Sequence, residues 1–342
     1  MAATASPRVC ICVPVYNAAA TLAATLDSIL SQTYKNISVI IVDNASTDNS
    51  MSIADRYAAL DGRVLVLRHR ENVGAEGNFT RCLQLASGDY TAIYHSDDIY
   101  SPSMAEEQVS FLELNPEAGA VFTMAAAINE NGSVGRVYRL PKELRGSAGG
   151  LYGFPEIFKA MLKYGNFLFC PSVMVRTPVY RDYIRKWDAG DYLSAADGDV
   201  WLRIALRYKV GIIDKPLLKY RISDSSFSYH AARRKTGPHD MFKLFDDYLK
   251  GPASGIAGEK ERNDYALLVL KDNINRSYNL LLLGKRKEAR VLLQDIFSTG
   301  IAAHALKSLT HTKVILYGYA LFILSLVPLS AGLKKLLFRL RF

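Results

Sequence analysis

Three aspartates in the first hundred residues stand where apolar runs end. Asp43 closes the run from Ile37 to Val42, and Asp97 and Asp98 follow the run from Tyr90 to Tyr94. A lone aspartate after a strand is ordinarily a turn residue or a helix cap. Two adjacent carboxylates are different, because each raises the other's pKa unless a cation neutralises them. A hard divalent ion with oxygen ligands does so. Mg²⁺ in particular combines one or two carboxylates with substrate phosphates. Such a group predicts a metal–diphosphate site.

The elements that must carry these acids are legible in the apolar spacing. Val9 to Val13 reads as a buried strand stopped by Pro14. Ala18 to Gln32 has helical spacing through Leu22, Leu26, Ile29 and Leu30, with Asn17 placed to cap it. Ile37 to Val42, Val64 to Leu67 and Tyr90 to Tyr94 read as further strands. Ser50 to Leu60 and Gly77 to Ala86 read as the helices between them. This β-α-β-α-β-α-β order predicts a parallel sheet wound with helices. In such sheets ligands bind at the carboxyl ends of the strands, where Asp43, Asp97 and Asp98 fall.

Beyond Glu106 the pattern is less regular. Glu106 to Leu114, Pro155 to Tyr164 and Asp199 to Tyr208 read as helices, and Ala118 to Ile128 and Val173 to Val175 as strands. Gly146 to Gly153 reads as a mobile loop. Asp264 to Leu283 and Lys285 to Phe297 read as two amphipathic helices parted at Gly284. The stretch from Val314 to Leu333 carries no charge and is followed by Lys334, Lys335, Arg339 and Arg341. About 20 apolar residues is the least that spans a bilayer. Ser325, Pro328 and Ser330 weaken a span, and the basic amphipathic tail suits an interfacial segment over anionic lipid. A span and a packing helix are the other readings.

The chain of 342 residues carries 42 Lys+Arg against 33 Asp+Glu, a net charge of +9. Its mean hydropathy is +0.03. This composition excludes disordered, collagen-like and disulfide-framework classes. The basic excess points to an anionic partner: a phosphorylated substrate, a membrane surface or nucleic acid. Cys10, Cys12, Cys82 and Cys170 lack zinc-ribbon spacing and read as reduced, mostly buried thiols. Met1 to Arg8 shows no signal-peptide pattern, so the expected location is cytoplasmic.

Five blocks then occur in order: Val13-Pro14-Val15-Tyr16-Asn17, Ser28 to Thr33, Ile41 to Asp48, Asn72-Val73-Gly74, and Gly88-Asp89-Tyr90 leading to Ser96-Asp97-Asp98. Together they resemble the nucleotide-binding half of the family 2 glycosyltransferases, closely from Arg8 to Tyr100 and more loosely to Ser228. The resemblance implies an α/β GT-A fold and inverting transfer of a sugar from a nucleotide-diphospho-sugar to a saccharide or lipid-linked saccharide hydroxyl. It implies Pro14, Tyr16 and Asn17 along the nucleobase and ribose, Asp43 bonded to base or ribose, and Asn72 and Gly74 walling the donor. Asp48 matches a common acid of the family. Asp97 and Asp98 match the acids for Mg²⁺ or Mn²⁺ and diphosphate. The family often has Asp-x-Asp-Asp, whereas this chain has His95-Ser96-Asp97-Asp98, and His95 reads as a strand-end residue without metal contact. Ala195 to Arg203 resembles the block bearing the general base. There Ala196 replaces a Glu, Asp197 falls on the base, Asp199 is the alternative base or a helix cap, and Trp201 reads as packing. Leu217 to Arg221 with Ser225 and Ser226 resembles a later block, which would set Arg221 at the diphosphate or in a loop ion pair. Arg233, Arg234 and Lys235 would face a phosphorylated acceptor or solvent.

The expected organisation is a catalytic domain over 1–230 (nucleotide-binding half 1–100, acceptor half 101–230), a helical appendage over 231–309 and a membrane-associated segment over 310–342, on the cytoplasmic face of the cell membrane. Other classes fit less well. A nucleotidyltransferase needs a Gly-rich basic loop where Pro14 to Asn17 stands, and neither G-x-G-x-x-G nor Walker A occurs. No zinc motif or basic–aromatic stripe supports a nucleic-acid binder. A degenerate, non-catalytic transferase is motivated by His95 and Ala196.

Overall fold

The computed structural model describes residues 6–146, 148–187, 190, 192–222, 235–298, 300, 303, 305–306 and 308–328. Strands β1 (Val9–Val15), β2 (Ile37–Asp43), β3 (Val64–Arg68) and β4 (Tyr90–Ile93) alternate with helices α1 (Leu22–Leu30), α2 (Ser50–Leu60) and α3 (Gly74–Leu85). All pairings among these four strands are parallel, as continuous apolar strands joined by helices require. The sheet is extended by β5 (Ile99–Tyr100), β6 (Ala118–Ile128), β7 (Val134–Val137), β8 (Leu151–Tyr152), β9 (Met174–Arg176) and β10 (Lys209–Arg221), with α4 (Met104–Leu114), α5 (Phe154–Tyr164) and α6 (Ala196–Arg207) between them. The order is β3-β2-β1-β4-β9-β6-β10-β5, with β7 beside β6 and β8 beside β10. β6 and β10 are parallel to each other, and β9 runs antiparallel to both β4 and β6.

This topology sets the functional edge. The carboxyl ends of β1, β2, β4, β6 and β10 share one side of the sheet. Because β9 is reversed, its amino end reaches the same side and brings the stretch before Met174 with it. Helix α6 feeds the parallel strand β10, so its first turn also lies there. The core beneath is built from Val9, Ile11, Val13, Leu26, Ile29, Val39, Ile41 and Tyr90, all buried.

Local departures from the sequence reading have local causes. Pro14 does not stop β1; it pairs in register with Val42. The β4 ladder ends at Cys12–Ile93, so the missing N–H of Pro14 falls where no partner strand remains. Asn17 does not cap α1, whose N-cap is Thr21. Instead it sits at φ +49 and ties two loops together. The Gly146–Gly153 segment is not wholly a loop, since Leu151 and Tyr152 pair with Gly211 and Val210 of β10. Asp199 is no cap: it lies inside α6 and its Oδ2 meets Arg203 Nε at 2.8 Å, one turn on.

The described residues of 1–157 and 166–223 form one compact unit, and those of 158–165 and 224–342 form a second. The second holds α7 (Asp240–Lys250), α8 (Glu259–Leu282), α9 (Arg286–Leu292) and α10 (Leu309–Leu326). Gly284, at φ +81, breaks the chain between α8 and α9. Leu270, Ile274, Leu281, Ala289, Ile296 and Leu321 make its core. Gly318 lets α10 approach closely, since a Cβ there would meet Ile274 and Ile296 side chains at 3.0 Å. At 18 residues α10 is about 27 Å long, and among the described residues no helix is long and apolar enough to cross a membrane. The other side of α10 leaves Leu316 and Ile323 61% and 64% exposed. Arg233, Arg234, Ser225, Ser226 and the basic tail from Lys334 onward lie outside the described residues.

Candidate active site at the carboxyl edge of the sheet

The loops after β1 and β2 are bound to each other. Asn17 N donates to Ser46 Oγ at 3.0 Å, and Asn17 Oδ1 accepts from Thr47 N at 2.8 Å. The buried Asp43 carboxylate accepts from Ser46 N at 3.1 Å. Ala45 between them is held at φ +58, a left-handed conformation uncommon for a side chain with a Cβ. Tyr16 projects from this edge 50% exposed, an aromatic face open to a flat ligand.

The neighbouring wall is organised by Asn44, a residue the sequence reading passed over. Its Nδ2 donates to Asn72 Oδ1 at 3.0 Å and to the Gly74 carbonyl at 3.1 Å, and its Oδ1 accepts from Val73 N at 2.9 Å. Gly74 takes φ +76, which is why glycine serves there. Asp48 is absorbed structurally. Its Oδ2 accepts from Ala19 N at 2.9 Å and its Oδ1 from Ser50 N at 2.9 Å. Burial pushes this carboxyl up, and these bonds with the Ser50 hydroxyl outweigh it, leaving its pKa below the ordinary value.

Past β4 the chain turns through His95, Ser96, Asp97 and Asp98. The turn is pinned from outside: Thr21 Oγ1 donates to the Ser96 carbonyl at 2.9 Å and Thr25 Oγ1 to the Asp98 carbonyl at 2.8 Å. Arg221 closes it. Its N–H donates to Asp98 Oδ1 at 2.7 Å and its Nε to the Asp97 carbonyl at 2.8 Å, while Nη1 donates to the carbonyls of Asn129 and Glu130 at 3.0 Å. Asp98 is 0% exposed, and its Oδ2 has no hydrogen-bond partner among the described residues. Burial, then the charge of Asp97, push its pKa well up against the opposing pull of Arg221. His95 Nε2 is likewise buried and unpartnered among the described residues. Burial lowers the His95 pKa against the pull of Asp97. One ligand atom from each of His95, Asp97 and Asp98 lies within 4.8 Å of the others. Two orphaned buried polar atoms beside a second carboxylate fit a divalent cation.

Asp197 stands in the first turn of α6. Its Oδ2 accepts from Asn166 Nδ2 at 3.0 Å and its Oδ1 from Gly198 N at 2.8 Å. The Trp201 indole N–H lies near it without closing a hydrogen bond. Burial raises the Asp197 pKa to about 6, opposed by the Gly198 N–H and the Asn166 amide. That places it near neutrality, where a carboxylate is an effective general base. Cys170 stands in the stretch leading to β9. Burial, then the charges of Asp197 and Asp98, push its thiol well above the usual range. A chain of aromatic rings runs between the same two places. His95 meets Phe79 edge-on at 5.6 Å, Phe79 meets Trp187 at 4.8 Å, and Trp187 meets Trp201 at 5.6 Å. Trp201 is 1% exposed and also packs edge-on against Phe122, which makes it a packing residue.

The fold thus gathers Tyr16, Asn17, Asp43, Asn72, Gly74, Asp97, Asp98, Arg221 and Asp197 on one edge. Pro14 is half-buried behind them within β1. Asn166 escaped the sequence reading because nothing in its own neighbourhood marks it; only the reversed β9 brings it to Asp197.

Comparison with known proteins is consistent with this edge. Residues 10–189 match the family described as Glycosyl transferase family 2. An uncharacterized glycosyltransferase of Methanocaldococcus jannaschii is 32% identical over 203 residues, 59% of this chain and 66% of that protein. The chain therefore spans just under two thirds of that relative. The Escherichia coli UDP-Glc:alpha-D-GlcNAc-diphosphoundecaprenol beta-1,3-glucosyltransferase WfaP is 31% identical over 197 residues, 57% of this chain and 69% of that protein. Among solved structures, S. aureus TarS 1-349 in complex with UDP-GlcNAc superposes with a TM-score of 0.52 at 17% identity, covering 97% of this chain and 86% of that one. The mannosyltransferase PcManGT of Pyrobaculum calidifontis, in complex with GDP-Man and Mn²⁺, gives 0.50 at 17% identity, covering 94% and 88%. These structural likenesses concern the fold, which is GT-A.

Proposed function

The chain belongs to glycosyl transferase family 2, and from that premise we propose that it transfers a sugar, with inversion, from a nucleotide-diphospho-sugar to a saccharide or lipid-linked saccharide hydroxyl. The observation that carries the reading is Asp197: a carboxyl near pKa 6, held by Asn166 and Gly198, on the same edge of the sheet as the acid turn. In the proposed reaction Asp197 takes the proton of the acceptor hydroxyl as its oxygen attacks the anomeric carbon. The glycosidic bond forms on the face opposite the departing nucleoside diphosphate, so configuration inverts. Tyr16 offers its exposed ring to the nucleobase, with Pro14 and Asn17 beside it. Asp43 accepts from base or ribose, and the Asn72–Gly74 wall, kept in shape by Asn44, borders the donor. Asp97 and Asp98 would hold Mg²⁺ or Mn²⁺, which when bound neutralises charge on the diphosphate. Arg221 positions that turn and lends it positive charge. The sugar nucleotides named with these similar proteins, UDP-Glc and UDP-GlcNAc on one side and GDP-Man on the other, support a nucleotide sugar without choosing its base.

The test is a thermal-shift screen of UDP-, GDP- and dTDP-sugars with Mn²⁺ or Mg²⁺, followed by transfer assays with the donor that stabilises. Stabilisation by one nucleotide series, lost with EDTA, is the expected result; no shift with any nucleotide defeats the reading.

A peripheral position on an anionic membrane is the second part of the proposal. It is supported by the exposed Leu316 and Ile323 on α10 and by a net basic cavity at the end of that helix, where Lys285, Arg286, Lys287 and Arg290 stand with Leu326 and a single acid, Glu288, which pairs with Lys285. Greasy side chains beside cations suit a headgroup boundary. Flotation with phosphatidylglycerol vesicles should recover the full chain, and Leu316→Ser with Ile323→Ser should lower the recovery several-fold. Equal recovery with neutral vesicles would remove the electrostatic half of the idea.

A further inference from the structure

We propose that His95 is a metal ligand, replacing a carboxylate, and that it turns this site toward cations that accept imidazole nitrogen. The inference rests on the reading of the acid turn as the metal–diphosphate site and adds to it the ligand set and its selectivity. Three observations carry it. A ligand atom of His95 lies within 4.8 Å of those of Asp97 and Asp98, the spread that one ion can bridge. His95 Nε2 and Asp98 Oδ2 are both buried, and neither has a hydrogen-bond partner among the described residues. Buried polar atoms left so are rare and costly unless something completes them. Finally, the ring packs edge-on against Phe79 at 5.6 Å, a contact that restricts its rotation.

The chemistry follows from the donor atoms. Mg²⁺ is a hard ion that favours oxygen and keeps its waters. Mn²⁺ and Co²⁺ bind imidazole more readily, and Zn²⁺ more readily still. Exchanging one carboxylate for a neutral imidazole also removes a negative charge from the cluster, which weakens a purely electrostatic ligand most. The site should therefore hold Mn²⁺ or Co²⁺ much better than Mg²⁺, by a wider margin than a three-carboxylate site would.

The experiment uses the full chain with Mn²⁺ and UDP, repeated with GDP. Pulsed electron paramagnetic resonance reads nitrogen coupling to bound Mn²⁺, and ¹⁵N-histidine labelling identifies imidazole as its source. Nitrogen coupling in the unmodified chain, lost in His95→Gln, is the expected result. His95→Asp should bind Mn²⁺ without nitrogen coupling and should narrow the Mn²⁺/Mg²⁺ affinity ratio at least tenfold, measured by calorimetry. If Mn²⁺ binds with nucleotide but shows no histidine nitrogen coupling, the ligand assignment is overturned while the metal–diphosphate site stands. If no Mn²⁺ binds with either nucleotide, that site and the inference fall together. Melting curves check both variants, and the labelled spectrum of the unmodified chain decides the assignment even if a variant does not fold.

Discussion

The acid turn at Asp97–Asp98 and the helix end at Asp197 handle a buried carboxyl in opposite ways. Asp98 is locked by the backbone: Arg221 N–H holds one oxygen, and the other is left without a partner among the described residues. Its burial is unbalanced, and a cation would restore the ionised form. Asp197 is balanced internally, with one oxygen on Asn166 and the other on Gly198. Its pKa settles at about 6, where a proton can come and go. On the proposed reading, one carboxyl keeps a charge beside a bound cation and the other exchanges a proton. The difference lies in the donors around them.

The contrast breaks most sharply at Asp197. Asp197→Asn should lower kcat by about 10²- to 10⁴-fold while nucleotide affinity in a titration stays within a few-fold. A parallel loss of affinity would merge the two roles. The same variant should melt higher near pH 8. A carboxyl whose folded pKa lies above its unfolded value favours the fold while protonated, and that advantage is lost as pH rises from about 4 through about 6. Asp97→Ala should do the reverse, weakening Mn²⁺-dependent nucleotide binding by about 10- to 100-fold whatever the acceptor. An unchanged metal titration would remove the cation from the acid turn.

Finer changes sharpen the comparison. The rate should rise with pH through about 6 and then level, as Asp197 loses its proton. The Asn166 amide favours the charged form, so Asn166→Ala should move that limb to higher pH and cost several-fold in rate near pH 6.5, with little loss near pH 8. A uniform loss at every pH would make Asn166 a packing residue only. The smallest effect is expected at Trp201→Phe, which shortens the aromatic chain between the two sites. It should cost about 1–3 kcal/mol of stability, read from urea unfolding, with kcat disturbed less than by any change above.

The first hundred residues were readable because their signals are local. Continuous apolar runs gave β1 to β4, and acids at run ends marked the edge. The second helix was legible to its ends, Ser50–Leu60. Failures came where a distant partner decides. Pro14 stays in β1 because β4 ends early. Asn17 leaves α1 for Ser46 and Thr47. Leu151 and Tyr152 find β10. Position by position, the sequence by itself determined the parallel βα order and the aspartates at the carboxyl edge, since spacing and residue type are properties of short stretches, while the block that bears Asp197 was marked by the family resemblance. Only the tertiary structure decided that Arg221 closes the turn on Asp98 and that Asn166 holds Asp197. Those neighbours depend on a reversed strand and on close packing, which bring together residues far apart in the chain.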